Sequence, residues 1–145
     1  MATFTATAAK RLKEGRLDGH VADLQAQDLI VYHTVYTTVG SEVATDIIEL
    51  TGMLPKGIKI VPALSIIRVA ASTGTALTAD LGFQGDNDAV LGTNVVLTAA
   101  GKVELTTAEK EIDTTDDQII ATVKTATAIV AGIDIEFYFV ARQTS

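Results

Sequence analysis

One third of this chain is β-branched, and in several segments the apolar residues alternate with polar ones at a period of two. Thr, Val and Ile together account for 48 of the 145 residues. Such side chains are stiff at χ1 and fit the pleated surface of a sheet. The alternation is clearest near the end, where one face carries Ile133, Ile135, Phe137, Phe139 and Ala141. The pattern favours strands and leaves little of the chain for helices.

Turn residues separate further predicted strands along the rest of the chain. These strands lie in residues 29–39, 42–50, 58–71, 77–83, 95–97, 103–105 and 119–123. About eight strands with no convincing helix among them predict an all-β fold, an antiparallel β-sandwich of jelly-roll type. Pro62 inside the long apolar run indicates an edge strand or a bulge, because proline cannot donate to the ladder. Residues 109–117 are acidic and threonine-rich, which predicts a solvated connection.

The predicted strand at residues 29–39 is apolar on both of its faces. Leu29, Val31 and Val35 share one face, and Ile30 and Tyr32 share the other. Both faces can therefore be covered. The sequence leaves open whether that cover comes from within the monomer or from a subunit interface.

The first 28 residues differ in charge from the rest. Residues 1–16 hold four basic residues and one acidic residue, a net charge of +3 in a chain of −7, which leaves −10 for residues 17–145. We predict an extended N-terminal arm at residues 1–28, which the core does not need, and a β-sandwich domain at residues 29–145. The candidate partner-binding residues are the four cations of the arm, Lys10, Arg11, Lys13 and Arg16. They can lie against an acidic surface of a neighbouring subunit or another protein.

Composition excludes several classes of function. The chain has no cysteine, which removes disulfides, thiolate zinc sites and cysteine nucleophiles. A net charge of −7 is the wrong sign for a domain that grips nucleic acid, so no direct nucleic-acid partner is expected. No apolar run reaches the length of a membrane helix and no secretory signal is evident. We therefore expect a soluble protein, made in a cytoplasm, with no membrane partner.

The acidic and imidazole side chains offer few candidates for chemistry. Four residues could supply oxygen ligands to a calcium ion: Asp80, Asp86, Asn87 and Asp88. The spacing of an EF-hand is absent, and acidic loops are usually only solvated. The carboxylate pairs Asp116/Asp117 and Asp134/Glu136 fit outward-facing charge better than a glycosidase site, which needs an aromatic cleft. His20 and His33 cannot form a site by themselves, and we expect His33 to be packed in its strand.

No catalytic constellation or phosphate-binding glycine loop is present in this sequence. We therefore expect a protein that is not an enzyme and that carries no cofactor and no metal. A soluble glycan-binding module is an alternative of a different class. Such a module needs an exposed aromatic platform, for which the candidates are Tyr32, Tyr36 and Tyr138.

The segment from Pro55 to Phe83 carries a resemblance. It contains an "I-x-x-I-x-V" strand, a small Ser/Thr/Gly turn and a "T-A-x-x-A-D-L-G" strand. Leu97-Thr-Ala-Ala-Gly and the strand that follows Ile129-Val-Ala-Gly-Ile-Asp fit the same layout. Over residues 29–142 the chain resembles small structural proteins of tailed bacteriophages, most of all the head decoration (cement) type.

That resemblance implies a non-enzymatic virion protein on the capsid surface, synthesised in the cytoplasm of a bacterial host. Its partners would be the major capsid protein and itself, as a homotrimer rather than a dimer. The resemblance transfers no functional residues. A tail, head-fibre or adaptor component is the alternative within virions. We expect deletion of residues 1–28 to leave the body folded and to abolish attachment to the shell.

Overall fold

The computed structural model describes residues 2–6, 29–84, 90–112 and 117–143. Within them it contains eleven strands: β1 (Thr3–Thr5), β2 (Leu29–Thr37), β3 (Ile47–Glu49), β4 (Ile58–Ile60), β5 (Ile66–Val69), β6 (Ala76–Phe83), β7 (Gly92–Val96), β8 (Gly101–Glu104), β9 (Lys110–Glu111), β10 (Ile119–Thr127) and β11 (Asp134–Gln143). A 3-10 turn at Pro62–Leu64 separates β4 from β5. In this described part, no helix is long and apolar enough to cross a membrane.

The strands form two sheets that pack face to face. Sheet A has the order β1-β3-β10-β6-β7. Sheet B has the order β8-β5-β11-β4-β9, and β2 also pairs with β11. Because β5 and β4 follow each other along β11, they occupy one of its edges and β2 occupies the other. β11 is therefore the central strand of sheet B.

Pairing between strands is nested from the outside of the chain inwards. β2 pairs with β11, β3 with β10, β4 with β9, β5 with β8 and β6 with β7, all antiparallel. The chain is thus one long antiparallel ribbon closed at β6 and β7. The ribbon rolls up so that β6 joins β10 and β5 joins β11. This arrangement is that of a jelly roll and confirms the predicted fold class.

The inner faces of the two sheets meet in one hydrophobic core. The alternating rows predicted for β6 and β11 are buried there, with Leu81, Phe83, Phe137 and Phe139 among the largest fully buried side chains. Ala121 of β10 lies opposite both Ile48 and Leu81, which places three strands of sheet A in register across the core. Strict period-two alternation therefore predicted the inner face correctly in these strands.

The run 58–71 is not one strand, and Pro62 is the reason. Proline begins a 3-10 turn, in which the Leu64 and Ser65 amides donate to the carbonyls of Val61 and Pro62 at 3.1 and 3.0 Å. The turn shifts the alternation, so that Ile67 and Val69 face the core after it, as Ile58 and Ile60 do before it. In place of the expected edge strand or bulge, the structure has two short strands, β4 and β5, which both pair with β11.

Two segments expected to lie outside the core contribute to it. Within the predicted solvated connection, Lys110 and Glu111 form β9, and Ile112 and Asp117 are buried. Within the predicted arm, residues Thr3–Thr5 pair in parallel with β3, and Ala6 is buried. The rest of the arm lies outside the described residues, and the domain boundary at residue 29 stays a prediction.

One glycine lies where two loops meet at the end of the sandwich. Gly74 has a φ of +144°, and a Cβ atom there would lie 2.4 Å from the carbonyl oxygen of Ala128. The loops are joined around it, since the Thr75 amide donates to Thr127 O at 3.0 Å and the Val130 amide donates to Thr73 O at 2.8 Å. Gly101 has a similar φ of +134° but open space around it.

Candidate interaction surface

The outer face of sheet B carries an apolar patch on a rigid scaffold. Cross-strand register sets Val31 opposite Val140 and His33 opposite Tyr138, which in turn lies opposite Ile66. Together with Leu29 on the same face of β2, these six residues form what we call the outer patch. Leu29 is 59% exposed and Val31 is 52% exposed. Exposed apolar side chains of β2 thus lie beside half-buried ones on neighbouring strands (Tyr138, Val140 and Ile66), a feature typical of interaction sites.

The turn that follows β4 is fixed to the side of the outer patch. The Val61 amide donates to the Val140 carbonyl at 2.8 Å, and the Val140 amide donates to Ser65 Oγ at 3.0 Å. Leu64, which is 53% exposed, lies within this turn. The backbone at Val140 is therefore held through both its amide and its carbonyl, and the patch presents a preformed surface.

Charged side chains of both signs surround the outer patch. Glu136 lies opposite Arg68, and Arg68 lies opposite Lys102. Arg142 Nη2 lies 2.9 Å from Glu109 Oε1, and both side chains are partly exposed. An apolar centre with a polar rim is the general anatomy of a protein interface.

His33 is exposed on the outer face, and its ring is packed against that of Tyr138. Its ring lies parallel to that of Tyr138, with the centroids 4.5 Å apart and the planes inclined by 12°. The Tyr138 hydroxyl donates to Glu136 Oε1 at 3.2 Å. Desolvation and the neighbouring Glu136 carboxylate raise the pKa of Tyr138. The stacked pair gives the patch a flat aromatic surface, and the His33 ring is engaged in that stack.

The three tyrosines do not form one aromatic platform. Tyr32 and Tyr36 lie opposite Phe139 and Ile135, on the inner face of sheet B, whereas Tyr138 lies on the outer face. Tyr36 is buried, and burial also raises the pKa of Tyr32. The structure thus separates the residues that the glycan-binding hypothesis needs on one surface.

Buried carboxylates in the described residues serve as structural acceptors. Glu42 accepts hydrogen bonds from the Tyr36 hydroxyl at 2.5 Å and from the Val39 and Gly40 amides at 2.8 and 2.9 Å. Asp46 accepts from the Ala2 and Val43 amides at 2.9 and 3.0 Å. Both acids hold the loop between β2 and β3 in place, a role that their sequence positions did not indicate.

Asp80, considered above as a candidate calcium ligand, also has a structural role. Its Oδ1 accepts from the Asn94 amide at 2.8 Å and its Oδ2 lies 3.5 Å from Lys124 Nζ. The register between β6 and β7 shifts at this residue, and the register between β6 and β10 shifts at Lys124. Asp80 therefore accepts the Asn94 amide at the irregularity in β7 and pairs with Lys124 at the irregularity in β10. Its proposed companions Asp86, Asn87 and Asp88 lie outside the described residues.

The remaining predicted sites can be placed only in part. Asp134 and Glu136 share the outer face of β11, and Asp134 accepts from Thr37 Oγ1 at 2.6 Å. Asp117 is buried. The predicted residues outside the described part of the chain are Lys10, Arg11, Lys13, Arg16, His20 and Asp116. Over the described residues, no three His, Cys, Asp or Glu side chains are grouped so as to hold a metal ion.

The sequence carried part of the signal for the outer patch in the predicted strand at residues 29–39, which is apolar on both faces. In the outward row of β11, Val140 is the one aliphatic residue among Asp134, Glu136, Tyr138 and Arg142. The apolar outward row of β2 lies directly beside it. Two such rows on paired strands predict an exposed apolar surface only when the pairing is known, and the pairing is non-local.

Alkaline pH provides a test of the Tyr36–Glu42 contact. Burial, the hydrogen bond to Glu42 and the charges of Glu42 and Asp46 raise the pKa of Tyr36 far above the ordinary value. An unfolded tyrosine ionises near pH 10. The contribution of Tyr36 to the free energy of unfolding is therefore fully present below pH 10. It falls as the pH rises further, by up to about 1.4 kcal/mol per pH unit. We expect urea unfolding between pH 8 and 11 to show this loss.

The variant Tyr36→Phe should lack that part of the alkaline loss, although it is less stable at pH 8 because Glu42 loses a donor. Tyr138→Phe is the comparison variant: the pKa of Tyr138 is also raised, but by less, because its hydroxyl binds a glutamate on the outer face, so this variant should remove a smaller part of the alkaline loss. Lysine titration is common to all three proteins and cancels in the comparison. An unchanged pH slope in Tyr36→Phe would contradict this account.

Comparison with known proteins places the fold among phage capsid structures. No protein-family model and no curated protein matches the sequence. A chain in the capsid of Ralstonia phage GP4 matches with a TM-score of 0.69 and 24% identity over 99% of both chains. A chain in the cyanophage Pam1 capsid asymmetric unit matches with a TM-score of 0.64 and 12% identity, over 87% of this chain and 94% of the other. This chain therefore shares its jelly-roll fold, along almost its whole length, with chains found in two phage capsids.

Proposed function

We propose that this protein is a non-enzymatic structural protein of a phage virion, and that it acts as a head decoration (cement) protein. The observation that carries the proposal is the match in fold over 99% of both chains with a chain in the capsid of Ralstonia phage GP4. A second phage capsid chain supports it. The coverage also means that the matched chains are close to this one in length. A match over the whole length favours a subunit with the same role. It disfavours a single domain that a protein of different function has in common with capsid chains.

The outer patch is the surface by which the protein binds the capsid shell in this proposal. Leu29 and Val31 would be desolvated against the major capsid protein, and the rim around Arg68 and Glu136 would set orientation. The cations Lys10, Arg11, Lys13 and Arg16 would add contacts to acidic surfaces of a neighbouring subunit. The protein itself would associate as a homotrimer above the gaps between shell subunits. None of these roles needs a cofactor.

Co-sedimentation with phage heads that lack this protein tests the proposal. We expect saturable binding at a fixed number of copies per shell subunit, distributed over the whole lattice in electron micrographs. Heads decorated in this way should also resist heat and low salt better than bare heads. The mass of the free protein, measured in the same buffer, gives its oligomeric state before binding.

Two other outcomes would contradict the cement role. Binding only at vertices would favour a tail, head-fibre or adaptor component, which also fits a fold shared with capsid chains. No binding to heads, together with saturable glycan binding, would favour the free binding module. The second outcome is disfavoured by Tyr36, which is buried against Glu42.

A further inference from the structure

We propose that the β3 edge of sheet A is an acceptor groove for residues 2–6 of a second copy of this chain, so that neighbouring copies are linked by exchange of β1. The exchange does not depend on shell binding and can hold or fail without it. It goes beyond the proposed function because it concerns how copies of this protein bind each other.

Residues 2–6 are bound to the body as an added strand. The Ile47 amide donates to the Ala2 carbonyl at 2.9 Å, and the Ala6 amide donates to the Glu49 carbonyl at 2.7 Å. The Ala2 amide donates to Asp46 Oδ1 at 2.9 Å. Main-chain bonds along a sheet edge, with a side chain that receives the first amide, are the geometry of peptide recognition by strand addition.

Alternate side chains of residues 2–6 occupy the inner side of this edge. Ala6 is 1% exposed within the core. Phe4 packs against the core, and its ring centroid lies 6.0 Å from that of Tyr36. Thr3 faces outward and is exposed. The groove therefore fits a short sequence in which an aromatic residue is followed two positions later by alanine.

The parallel direction of β1 sets it apart from the nested ribbon. Every other strand pair among the described residues is antiparallel, whereas β1 runs parallel to β3. β1 thus adds to the edge of a roll that closes without it. A strand that belongs to no ribbon pair can be supplied by any chain that presents the same residues.

The connection to β2 is long enough to reach another molecule. Twenty-two residues separate Ala6 in sheet A from Leu29 in sheet B. Fully extended, they span about 75 Å at 3.3 Å per residue. A domain of this length has a radius of gyration of about 15 Å. Connections above about 15 residues are uncommon inside compact domains, where they usually serve a function.

The occupant is a second copy because residues 2–6 are the sequence that fits the groove in the structure. The contacts are the same whether the strand comes from the same chain or from a neighbour. The protein concentration therefore decides whether the β3 edge is occupied by residues 2–6 of the same chain or of a second copy. The chain's own strand competes at an effective concentration of about a millimolar or less. Exchange between copies is therefore favoured above about 1 mM.

The lack of cysteine in the chain allows a direct cross-linking test. One copy carries Thr3→Cys, and a second, with a mass tag, carries Ile47→Cys; these positions are register partners in β1 and β3. The copies are mixed, unfolded, refolded together at about 1 mM or about 1 μM, and treated with a short bis-maleimide. We expect the mixed-mass product at the higher concentration, at least ten-fold above the control pair.

The control pair is Arg68→Cys in one copy with Lys102→Cys in the other. These residues are also register partners, on β5 and β8, but both lie inside the ribbon. A mixed Thr3–Ile47 product at the control level at about 1 mM would overturn the proposal. A Thr3→Cys/Ile47→Cys double variant tests the groove itself within one chain. If that variant forms no cross-link in any arrangement, residues 2–6 do not occupy the groove, which also overturns it.

Discussion

Replacing Gly74 with alanine should cost about 3–5 kcal/mol of unfolding free energy, from backbone strain and overpacking together. The added Cβ would lie 2.4 Å from Ala128 O and 2.9 Å from Ile129 Cα, both parts of a backbone that cannot rotate away. The φ of +144° adds strain for any residue with a side chain. Because natural domains hold only about 5–15 kcal/mol in all, this variant should be largely unfolded well below the melting temperature of the parent. Urea unfolding followed by circular dichroism measures the loss.

Gly101→Ala is the matched control for that prediction. Its φ is +134°, so it bears a comparable backbone strain, but a Cβ there meets no atom within 4 Å. We expect it to cost about 1–3 kcal/mol, from strain alone. The difference between the two variants isolates the contact between the loop at Gly74 and the turn at Ala128. Equal losses would show that the two loops are not in contact.

Placing a charge in the outer patch should abolish shell binding without unfolding the protein. Val31→Asp puts a carboxylate on a residue that is 52% exposed in the free chain. Burying an unpaired charge at the centre of an interface costs several kcal/mol, so we expect at least a 100-fold loss of affinity for heads. Stability should change by less than about 1 kcal/mol because the site is exposed. Co-sedimentation and urea unfolding on the same preparation measure both quantities.

Val96→Asp provides a control with the same substitution on the other sheet. Val96 lies on β7 and is 56% exposed, close to the exposure of Val31. We expect it to leave the affinity for heads within about three-fold of the parent, since a peripheral residue contributes little. If Val96→Asp removed binding and Val31→Asp did not, the shell-binding surface would lie on sheet A instead.

Strict alternation made the strongest elements predictable. In β6 and β11 the inward residues are apolar, from alanine to phenylalanine, and they are buried as the sequence indicates, except that Ile133, which precedes β11, is only half-buried. The fold class followed from the number of such strands and the turns between them. Pairing did not follow, because β2 and β11 meet across 97 residues at Thr37 and Asp134, and no local pattern specifies that contact.

Prediction from local sequence pattern failed where burial depends on a hydrogen bond with a backbone group that is distant in the sequence. Ile112 lies in an acidic, threonine-rich stretch but is fully buried, since its amide donates to Ile58 O at 2.8 Å. Glu42 and Asp46 look like surface acids in the sequence, yet both accept backbone amides in the interior. Their burial depends on amides that only the folded loop presents. The outer patch could not be predicted for the same reason, since its two rows come from opposite ends of the chain.

The nested ribbon also determines when this protein can fold. β2 has its partner in β11, and sheet B has no central strand until β11 has been made. At 5–20 residues per second, a ribosome needs about 5–20 s to extend the chain by the 97 positions from Thr37 to Asp134. Folds dominated by such distant pairings then take on the order of milliseconds to seconds. During synthesis the apolar rows of β2 are therefore without their partner strand until β11 has been made.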